Sequence, residues 1–268
     1  MCEFCIKHGE GLKWYLSMEN YSRDLLEQDG RREYLIHFLN SFEENTPRDM
    51  KQMERLASTP LLGLARKIFI SRQKQNHYGQ IVPIEEVEQI LQQAEGVVRL
   101  PCVCRRVNGG QKNARYCYGL TLDKRIHDGL DDSFSLEVVS WQDASESINE
   151  LDKEGLVHSV WTFKTPYIGG LCNCDQDCMA YQITHSRGYY PVMFRAEWFA
   201  KVDWDKCNGC KNCMRQCQYG AVRYSAMNKK VMIDPSQCYG CGVCRAACHH
   251  DAILLCSRAE DPIAAKIW

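Results

Sequence analysis

The chain has 268 residues, of which 45% are hydrophobic, so it is long and apolar enough for two compact domains with a buried core. Its formal net charge of −1 excludes the strong positive charge of a nucleic-acid-binding protein. Seventeen cysteines occur without a basic-then-apolar leader or an apolar stretch of bilayer length. We therefore expect free thiols in a reducing, anaerobic cytoplasm, and neither disulfides nor membrane association.

A cysteine pair followed by a histidine stands at the beginning of the chain. Cys2, Cys5 and His8 have the spacing Cys-x-x-Cys-x-x-His, and thiolates and imidazoles are ligands that zinc prefers. These three residues are candidate metal ligands. The alternative is a pair of unmetallated thiols near a chain end.

Residues 14–76 carry apolar side chains at near-helical spacing. This pattern predicts a helical region that is broken by turns at Gly30 and at Thr46-Pro47. The helix predicted after Thr59-Pro60 carries four basic side chains, which could form a DNA-binding face, although such charge is usually a solvated helix surface. The four are Arg66, Lys67, Arg72 and Lys74.

Helices and strands alternate over the next eighty residues. This alternation predicts a small α/β unit between the helical region and the C-terminal cysteines. In chain order the predicted elements are a helix between Pro83 and Gly96, a strand at 97–100, a strand at 136–139, a helix at 143–153 and a strand at 156–163.

Six cysteines lie in and after this unit, within the segments LPCVCRRVNGGQKNARYCYGL and IGGLCNCDQDC. In an extended chain, cysteines spaced i, i+2 share a face about 7 Å apart, which suits two thiolates on one iron–sulfur cube. Cys178 follows Cys174 by four residues, so one helical turn would return it to the same side. The first candidate ligands are Cys104, Cys117, Cys172 and Cys178, and the next candidates are Cys102 and Cys174.

We expect these six cysteines to hold at least one further iron–sulfur cluster. Structural zinc is the first alternative, and unmetallated core cysteines are the second. An ordinary [4Fe–4S] cluster needs four ligands, so two cysteines remain for a larger cluster, a second cluster or an exchangeable site.

Two cysteine runs of the same form, Cys-x-x-Cys-x-x-Cys-x-x-x-Cys, follow towards the C-terminus. Three cysteines on a tight loop, with two residues between each and the next, can ligate three iron atoms of one cube. The fourth iron atom then needs a ligand from elsewhere. Zinc modules usually separate two Cys-x-x-Cys pairs by a longer spacer, so zinc and disulfides are the weaker alternatives. The runs are Cys207, Cys210, Cys213, Cys217 and Cys238, Cys241, Cys244, Cys248.

Residues 201–256 therefore resemble a bacterial-type ferredoxin with two [4Fe–4S] clusters. In that family the last cysteine of each run ligates the other cluster. The resemblance implies one cluster on Cys207, Cys210, Cys213 and Cys248, and a second on Cys238, Cys241, Cys244 and Cys217.

The ferredoxin resemblance has one departure and one further implication. The residue after the fourth cysteine is usually proline, but here it is Gln218 in one run and His249 in the other. Without this proline the stiffness of the loop and the potential of the cluster can differ from those of the family, but the cysteine ligands are the same. Tyr219 and Tyr239 occupy matching places beside the clusters, where aromatic rings usually shield the cubes.

Residues 80–256 also resemble, more loosely, uncharacterised iron–sulfur proteins of anaerobes. The resemblance implies a role in electron transfer in anaerobic metabolism. The matching segments are Pro101-Cys102-Val103-Cys104-Arg105, Gly155-Leu156-Val157-His158 and Cys172-Asn173-Cys174.

Together these patterns predict an α+β fold. We expect a helical N-terminal region at 1–80, a small cysteine-rich α/β domain at 81–200, a two-cluster ferredoxin-like domain at 201–256 and a tail at 257–268.

The sequence favours an electron-transfer protein, or an electron-transfer subunit of an oxidoreductase, over a stand-alone enzyme. Low-potential electrons would pass through the clusters to a partner redox protein. The chain has no G-x-G-x-x-G after a strand and no G-x-x-x-x-G-K-[ST], the motifs that cradle nucleotide phosphates. Two alternatives remain: a reductase with catalysis at an open or complex upstream cluster, and an iron–sulfur sensor whose helical N-terminus binds DNA.

Overall fold

The computed structural model describes residues 1–59, 63–111, 113–121, 129–130 and 134–268. The helices are α1 Glu3–His8, α2 Arg23–Glu27, α3 Arg31–Ser58, α4 Gly63–Asn76, α5 Ile84–Gln93, α6 Val103–Val107, α7 Trp141–Glu154, α8 Met179–Tyr181, α9 Asn212–Gln216 and α10 Val243–Ala246. The strands are β1 Gly79–Val82, β2 Val97–Leu100, β3 Cys117–Leu120, β4 Glu137–Val139, β5 Val157–Thr162, β6 Ile168–Cys174, β7 Met193–Phe194, β8 Trp198–Val202, β9 Val222–Ser225, β10 Lys230–Ile233 and β11 Ile253–Ser257.

The N-terminal region is built around the long helix α3. The predicted turn at Gly30 is confirmed, because this glycine adopts a left-handed backbone (φ 64°) just before α3 begins. The predicted break at Thr46-Pro47 is wrong, since α3 continues through Pro47 to Ser58. The Thr46 hydroxyl donates a hydrogen bond to the Phe42 carbonyl. Packing of the buried face of α3 outweighs the single backbone hydrogen bond that proline removes.

An antiparallel sheet forms the centre of the molecule. Within the described residues it has seven strands in the order β4-β2-β3-β6-β5-β1-β7, and only the β1–β7 pair is parallel. The predicted strands at β2, β4 and β5 are confirmed, but β1, β3, β6 and β7 were not predicted. The expected small α/β unit is therefore part of a larger antiparallel sheet.

The two faces of this sheet contact different helices. The predicted helices α5 and α7 are confirmed, and their buried residues pack on the face that carries Tyr118 and Leu171. Gly155 ends α7 in a left-handed conformation (φ 94°), as predicted. Cys117 and Cys172 alternate with Tyr118 and Leu171 along β3 and β6, so they lie on the opposite face, towards α3.

The C-terminal part contains two short antiparallel ribbons and two short helices. Strand β9 pairs with β10, and β8 pairs with β11. Helices α9 and α10 each carry the third cysteine of one run, at Cys213 and Cys244. Within the described ranges, none of the helices combines the length and the apolar character that crossing a bilayer requires.

Candidate iron–sulfur centres

The first three cysteines of the first run meet the last cysteine of the second run around one small cavity. Its lining includes Cys207, Cys210, Cys213 and Cys248. Cys213 is buried in α9, Cys207 and Cys248 are half-buried, and Cys210 is exposed. This cavity therefore lies at the protein surface.

The reciprocal set lines a second small cavity, deeper in the molecule. Its cysteines are Cys217, Cys238, Cys241 and Cys244. The last three are buried, and Cys217 is half-buried. The Ala200 N–H donates a hydrogen bond to the Cys238 sulfur at 3.3 Å. The structure thus brings together the two exchanged sets that the ferredoxin resemblance implies.

The donor chemistry of both cavities suits iron–sulfur clusters. Burial raises the pKa of Cys213 to about 11 and also raises the pKa values of Cys241 and Cys244. Several thiols packed this closely keep their protons unless bound cations replace them. Iron binding supplies such cations, and each cavity offers the four thiolates that one [4Fe–4S] cluster needs.

The six upstream cysteines converge on the sheet face that points towards α3. Cys117 lies directly opposite Cys172 in the β3–β6 pairing, and Cys174 follows Cys172 on the same face. The Cys117 thiol donates to the Cys102 sulfur at 3.5 Å. Cys178 completes the group through a hydrogen bond with Cys174, and Cys104 lies close enough to Cys172 and Cys178 for these cysteines to raise its pKa.

Two local expectations about these cysteines are wrong. Cys102 and Cys104 are not an extended pair, since Cys102 is the N-cap of α6 and Cys104 lies inside that helix. Cys178 is not reached through a helical turn either. The chain reverses after β6 in a turn closed by the Cys178 N–H and the Asp175 carbonyl (3.1 Å), and α8 begins only at Met179.

The upstream thiols differ in how readily they ionise. The hydrogen bond from Cys117 outweighs burial and, together with the Tyr116 N–H at 3.0 Å from the Cys102 sulfur, lowers the pKa of Cys102 to about 7. In contrast, burial raises the pKa of Cys104, and the hydrogen bond with Cys178 raises that of Cys174. The group therefore needs bound cations to become a set of thiolates.

Arg105 is a candidate functional residue to which the sequence interpretation gave no role. Its side chain is buried, with 1% of the residue exposed, and its Nη1 donates to the Asp175 carboxylate at 2.5 Å. Its Nε and Nη2 have no hydrogen-bond partner within the described residues. The charges of Cys178 and Cys102 act on this guanidinium. An anionic cluster on those cysteines would supply the acceptors that a buried cation needs, so the donor set fits an iron–sulfur cluster.

His158 holds the strand that carries Cys172 and Cys174. Its Nδ1 lies 2.6 Å from Asn173 Oδ1, and its Nε2 lies 3.2 Å from Asp152 Oδ1. Asn173 stands between the two cysteines and donates through Nδ2 to the Tyr116 carbonyl at 2.6 Å. His158 and Asn173 are fully buried, so this network fixes the position of β6.

The second ferredoxin-type cavity and the upstream group are joined by direct contacts. Gln218, which follows Cys217, donates through Nε2 to the carbonyls of Gly155 (2.6 Å) and Cys174 (3.3 Å). The Tyr181 hydroxyl donates to the Gln218 carbonyl at 2.7 Å. A proline at 218 could not make the side-chain bonds, which accounts for the departure from the ferredoxin pattern.

Tyr219 lies between the same two groups of cysteines. Its ring stacks on Tyr239 with centroids 4.0 Å apart and planes at 13°. Burial raises the pKa of the Tyr219 hydroxyl, and the charges of Cys241 and Cys174 raise it further. Tyr219 and Tyr239 therefore form a buried aromatic pair beside the deeper cysteine set.

The N-terminal cysteines meet a different third donor from the one expected. The Cys2 and Cys5 sulfurs lie 3.5 Å apart and are fully buried. The compact donor group that contains them is completed by Glu197 and does not include His8. His8 instead packs its ring edge-on against Phe4 (5.9 Å between centroids). A contact 192 residues away in sequence cannot be read from local spacing.

The basic side chains of α4 are partly engaged within the molecule. Arg66 donates to the Tyr189 carbonyl at 2.6 Å, and Lys74 pairs with Glu3 at 3.0 Å. Lys67 and Arg72 are exposed. Two of the four cations thus have structural partners, which weakens the case for a DNA-binding face.

A large cavity adjoins the upstream cysteines on the α3 side of the sheet. It has a volume of about 330 Å³. Four of the six cysteines line it: Cys104, Cys117, Cys172 and Cys174. Along α3 its lining extends from Tyr34 to Met53, which corresponds to about 28 Å of helix. The cavity therefore extends well beyond the cysteines.

In a comparison with protein-family models, a family described as a 4Fe-4S dicluster domain matches residues 206–252. None of the curated proteins matches this chain. The matched residues contain both cysteine runs and the two small cavities that they line. The C-terminal part of this α+β chain is therefore a ferredoxin-type 4Fe-4S domain.

Proposed function

We propose that this chain is an electron-transfer protein in which the ferredoxin-type domain exchanges electrons with an iron–sulfur centre on the six upstream cysteines. Iron–sulfur clusters supply one-electron transfer at low potential. The protein would hold two [4Fe–4S] clusters on the exchanged cysteine sets and at least one further cluster on the upstream group. A redox partner in anaerobic metabolism would complete the electron path.

The contact between Gln218 and Cys174 is the observation that carries this proposal. Gln218 adjoins Cys217 in the deeper ferredoxin-type set, and its side chain bonds the carbonyl of Cys174 in the upstream set. A single hydrogen bond therefore links the side chain that follows Cys217 with the backbone of Cys174. The buried tyrosines beside this bond keep water out of the gap, which lowers the local dielectric constant.

Burial of the cysteines suggests where the partner binds. The surface set includes the exposed Cys210, whereas Cys238, Cys241 and Cys244 of the deeper set are buried. The neighbours of the surface set include exposed Lys211. We therefore expect electrons to pass between this chain and a second protein at the surface set. The upstream group would then be the inner end of the electron-transfer path.

A redox titration tests the leading proposal. We monitor the titration of the anaerobically purified protein by electron paramagnetic resonance (EPR). We expect more than two reversible one-electron steps at strongly negative potential. Cys256→Ser should titrate like the wild type, because Cys256 lines neither small cavity. Centres that dithionite never reduces would contradict an electron-transfer role.

A second candidate function is the reduction of a small molecule at the upstream centre, and the large cavity favours it. Its volume of about 330 Å³ lies within the range of small-molecule sites, and its walls are mainly apolar and aromatic. Phe38, Phe163 and Trp161 pack around His77 on this side of the sheet. An uncharged, flat organic molecule is the class of ligand that such walls accommodate.

His77 supplies a polar group to this cavity. Burial lowers the pKa of His77 to about 4, so the ring is neutral at pH 7. Its Nδ1 donates to the Thr162 carbonyl at 2.7 Å, which leaves Nε2 as an acceptor. Within the described residues Nε2 receives no hydrogen bond, so a hydroxyl or amide of a ligand can donate to it.

A binding experiment tests this second candidate. We expect 2-naphthol to bind the holoprotein and to perturb the EPR signal of the upstream centre. Phe42→Trp, which fills the cavity, should weaken binding at least about tenfold, whereas Lys51→Trp on the exposed side of α3 should not. Equal affinities in both variants, or equally tight binding of charged 2-naphthoate, would contradict a ligand site here.

A further inference from the structure

The donor group of Cys2, Cys5 and Glu197 is separate from the two ferredoxin-type cavities and from the cavity at the upstream cysteines. The Cys2 and Cys5 sulfurs are 3.5 Å apart, and the Cys5 sulfur is 3.0 Å from Glu197 Oε1. All three ligand atoms lie within 4.8 Å of one another. Over the described ranges, no other trio of His, Cys, Asp or Glu donors is this compact.

This compactness is typical of a single ion. Zinc binds sulfur at about 2.3 Å and carboxylate oxygen at about 2.0–2.2 Å, so its tetrahedral ligands lie about 3.5–3.8 Å from one another. The distances among Cys2, Cys5 and Glu197 approach these values. A [4Fe–4S] cube needs four cysteine ligands, whereas this compact group offers two cysteines and one carboxylate. We propose that Cys2, Cys5 and Glu197 bind one Zn²⁺ that takes no part in electron transfer.

A fourth donor is already oriented towards this group. Gln80 Oε1 lies 3.5 Å from the Cys2 sulfur. Its amide is held from two sides, because Trp14 Nε1 donates to Oε1 at 2.5 Å and Gln80 Nε2 donates to the Arg195 carbonyl at 3.1 Å. This fixed orientation leaves one lone pair of Oε1 for the ion, and hydrogen bonds of this kind commonly orient metal ligands.

The charges around the group suit a divalent cation. Two thiolates and one carboxylate carry −3, and a +2 ion leaves −1. The guanidinium of the fully buried Arg258 lies close enough to Glu197 for their charges to interact. It can balance the remaining charge, so the loaded site would be close to neutral.

The ion would join three parts of the chain that are distant in sequence. Cys2 and Cys5 belong to the first turn of α1, Gln80 lies on β1, and Glu197 directly precedes β8 of the ferredoxin-type domain. The Cys2 N–H also donates to Glu197 Oε1 at 3.0 Å. The proposed role is therefore structural: the ion fixes the N-terminus to the sheet and to the beginning of β8.

Metal analysis of the full chain, purified anaerobically, tests this site. We expect about one zinc per chain in the wild type and almost none in the double variant Cys2→Ser/Cys5→Ser. Glu197→Gln should weaken zinc retention at least about tenfold in competition with a chelator. The matched control Cys256→Ser should keep its zinc. Iron content should stay unchanged in every variant, which also shows that the chain has folded.

Cobalt substitution gives a second readout that does not depend on variant stability. Protein loaded with Co²⁺ should show a sulfur-to-cobalt charge-transfer band, and Cys2→Ser alone should weaken it. Wild-type protein with far less than one zinc per chain would overturn the proposal, as would zinc that persists in the double variant. Either result would leave Cys2 and Cys5 as neutral thiols that donate to Gln80 and Glu197.

Discussion

Replacing Cys174 and Cys178 together with serine is expected to remove at least about four iron atoms per chain and to leave both ferredoxin-type clusters in place. The two sulfurs are hydrogen-bonded neighbours within the upstream group. Neither residue lines the two small cavities of the C-terminal domain. Iron analysis and EPR of the reduced variant would measure the loss.

Two controls make this result specific to the upstream centre. Cys256→Ser should lose no iron, because Cys256 lies outside all three groups of ligands. Arg105→Met should weaken the centre without removing a ligand, since it removes the buried cation beside Cys178 and Cys102 that would balance the charge of the cluster. If the double variant keeps the full iron content of the wild type, the six cysteines do not hold a cluster.

Cys217→Ala and Cys238→Ala are expected to remove the same cluster, although the two residues belong to different runs. Cys217 lines the cavity of Cys238, Cys241 and Cys244, and not the cavity that contains Cys213. Each variant should lose about four iron atoms and leave the same remaining EPR signals. Reduction of the upstream centre by an external donor should also slow, because the deeper cluster lies between it and the surface set.

The reciprocal variants provide the comparison. Cys207→Ala and Cys248→Ala should resemble each other and should differ from Cys217→Ala, because both residues line the surface cavity. If Cys217→Ala instead resembles Cys207→Ala, each run would bind its own cluster. The exchanged ligand sets would then be wrong.

Elements with a clear hydrophobic period could be predicted from the sequence. Helices α5 and α7 show apolar residues at helical spacing and carry turn or cap residues at their ends. The strands that were missed lack such a signal. Strand β1 is buried at all four positions and shows no alternation, and β6 consists of the unusual sequence IGGLCNC. Tertiary packing of α3 before Pro47, at Leu35 and Leu39, and after it, at Met50 and Met53, kept the proline within that helix, and a local rule does not include such contacts.

The candidate centres could be predicted where their ligands are close in sequence. The spacing of the two runs gives eight ligands, and the segment around Cys172 gives part of the upstream group. Glu197 and Arg105 could not be predicted in the same way. Glu197 reaches Cys5 across 192 residues, and arginine is ordinarily an exposed residue, so its burial follows only from the fold.

Iron and sulfide quantification of anaerobically purified wild-type protein, combined with EPR of the reduced state, tests the central claim most directly. The claim is that a third centre on the six upstream cysteines exchanges electrons with the ferredoxin-type domain. We expect about twelve or more iron atoms per chain and signals from more than two interacting centres. About eight iron atoms, with the spectrum of an isolated pair of clusters, would contradict it.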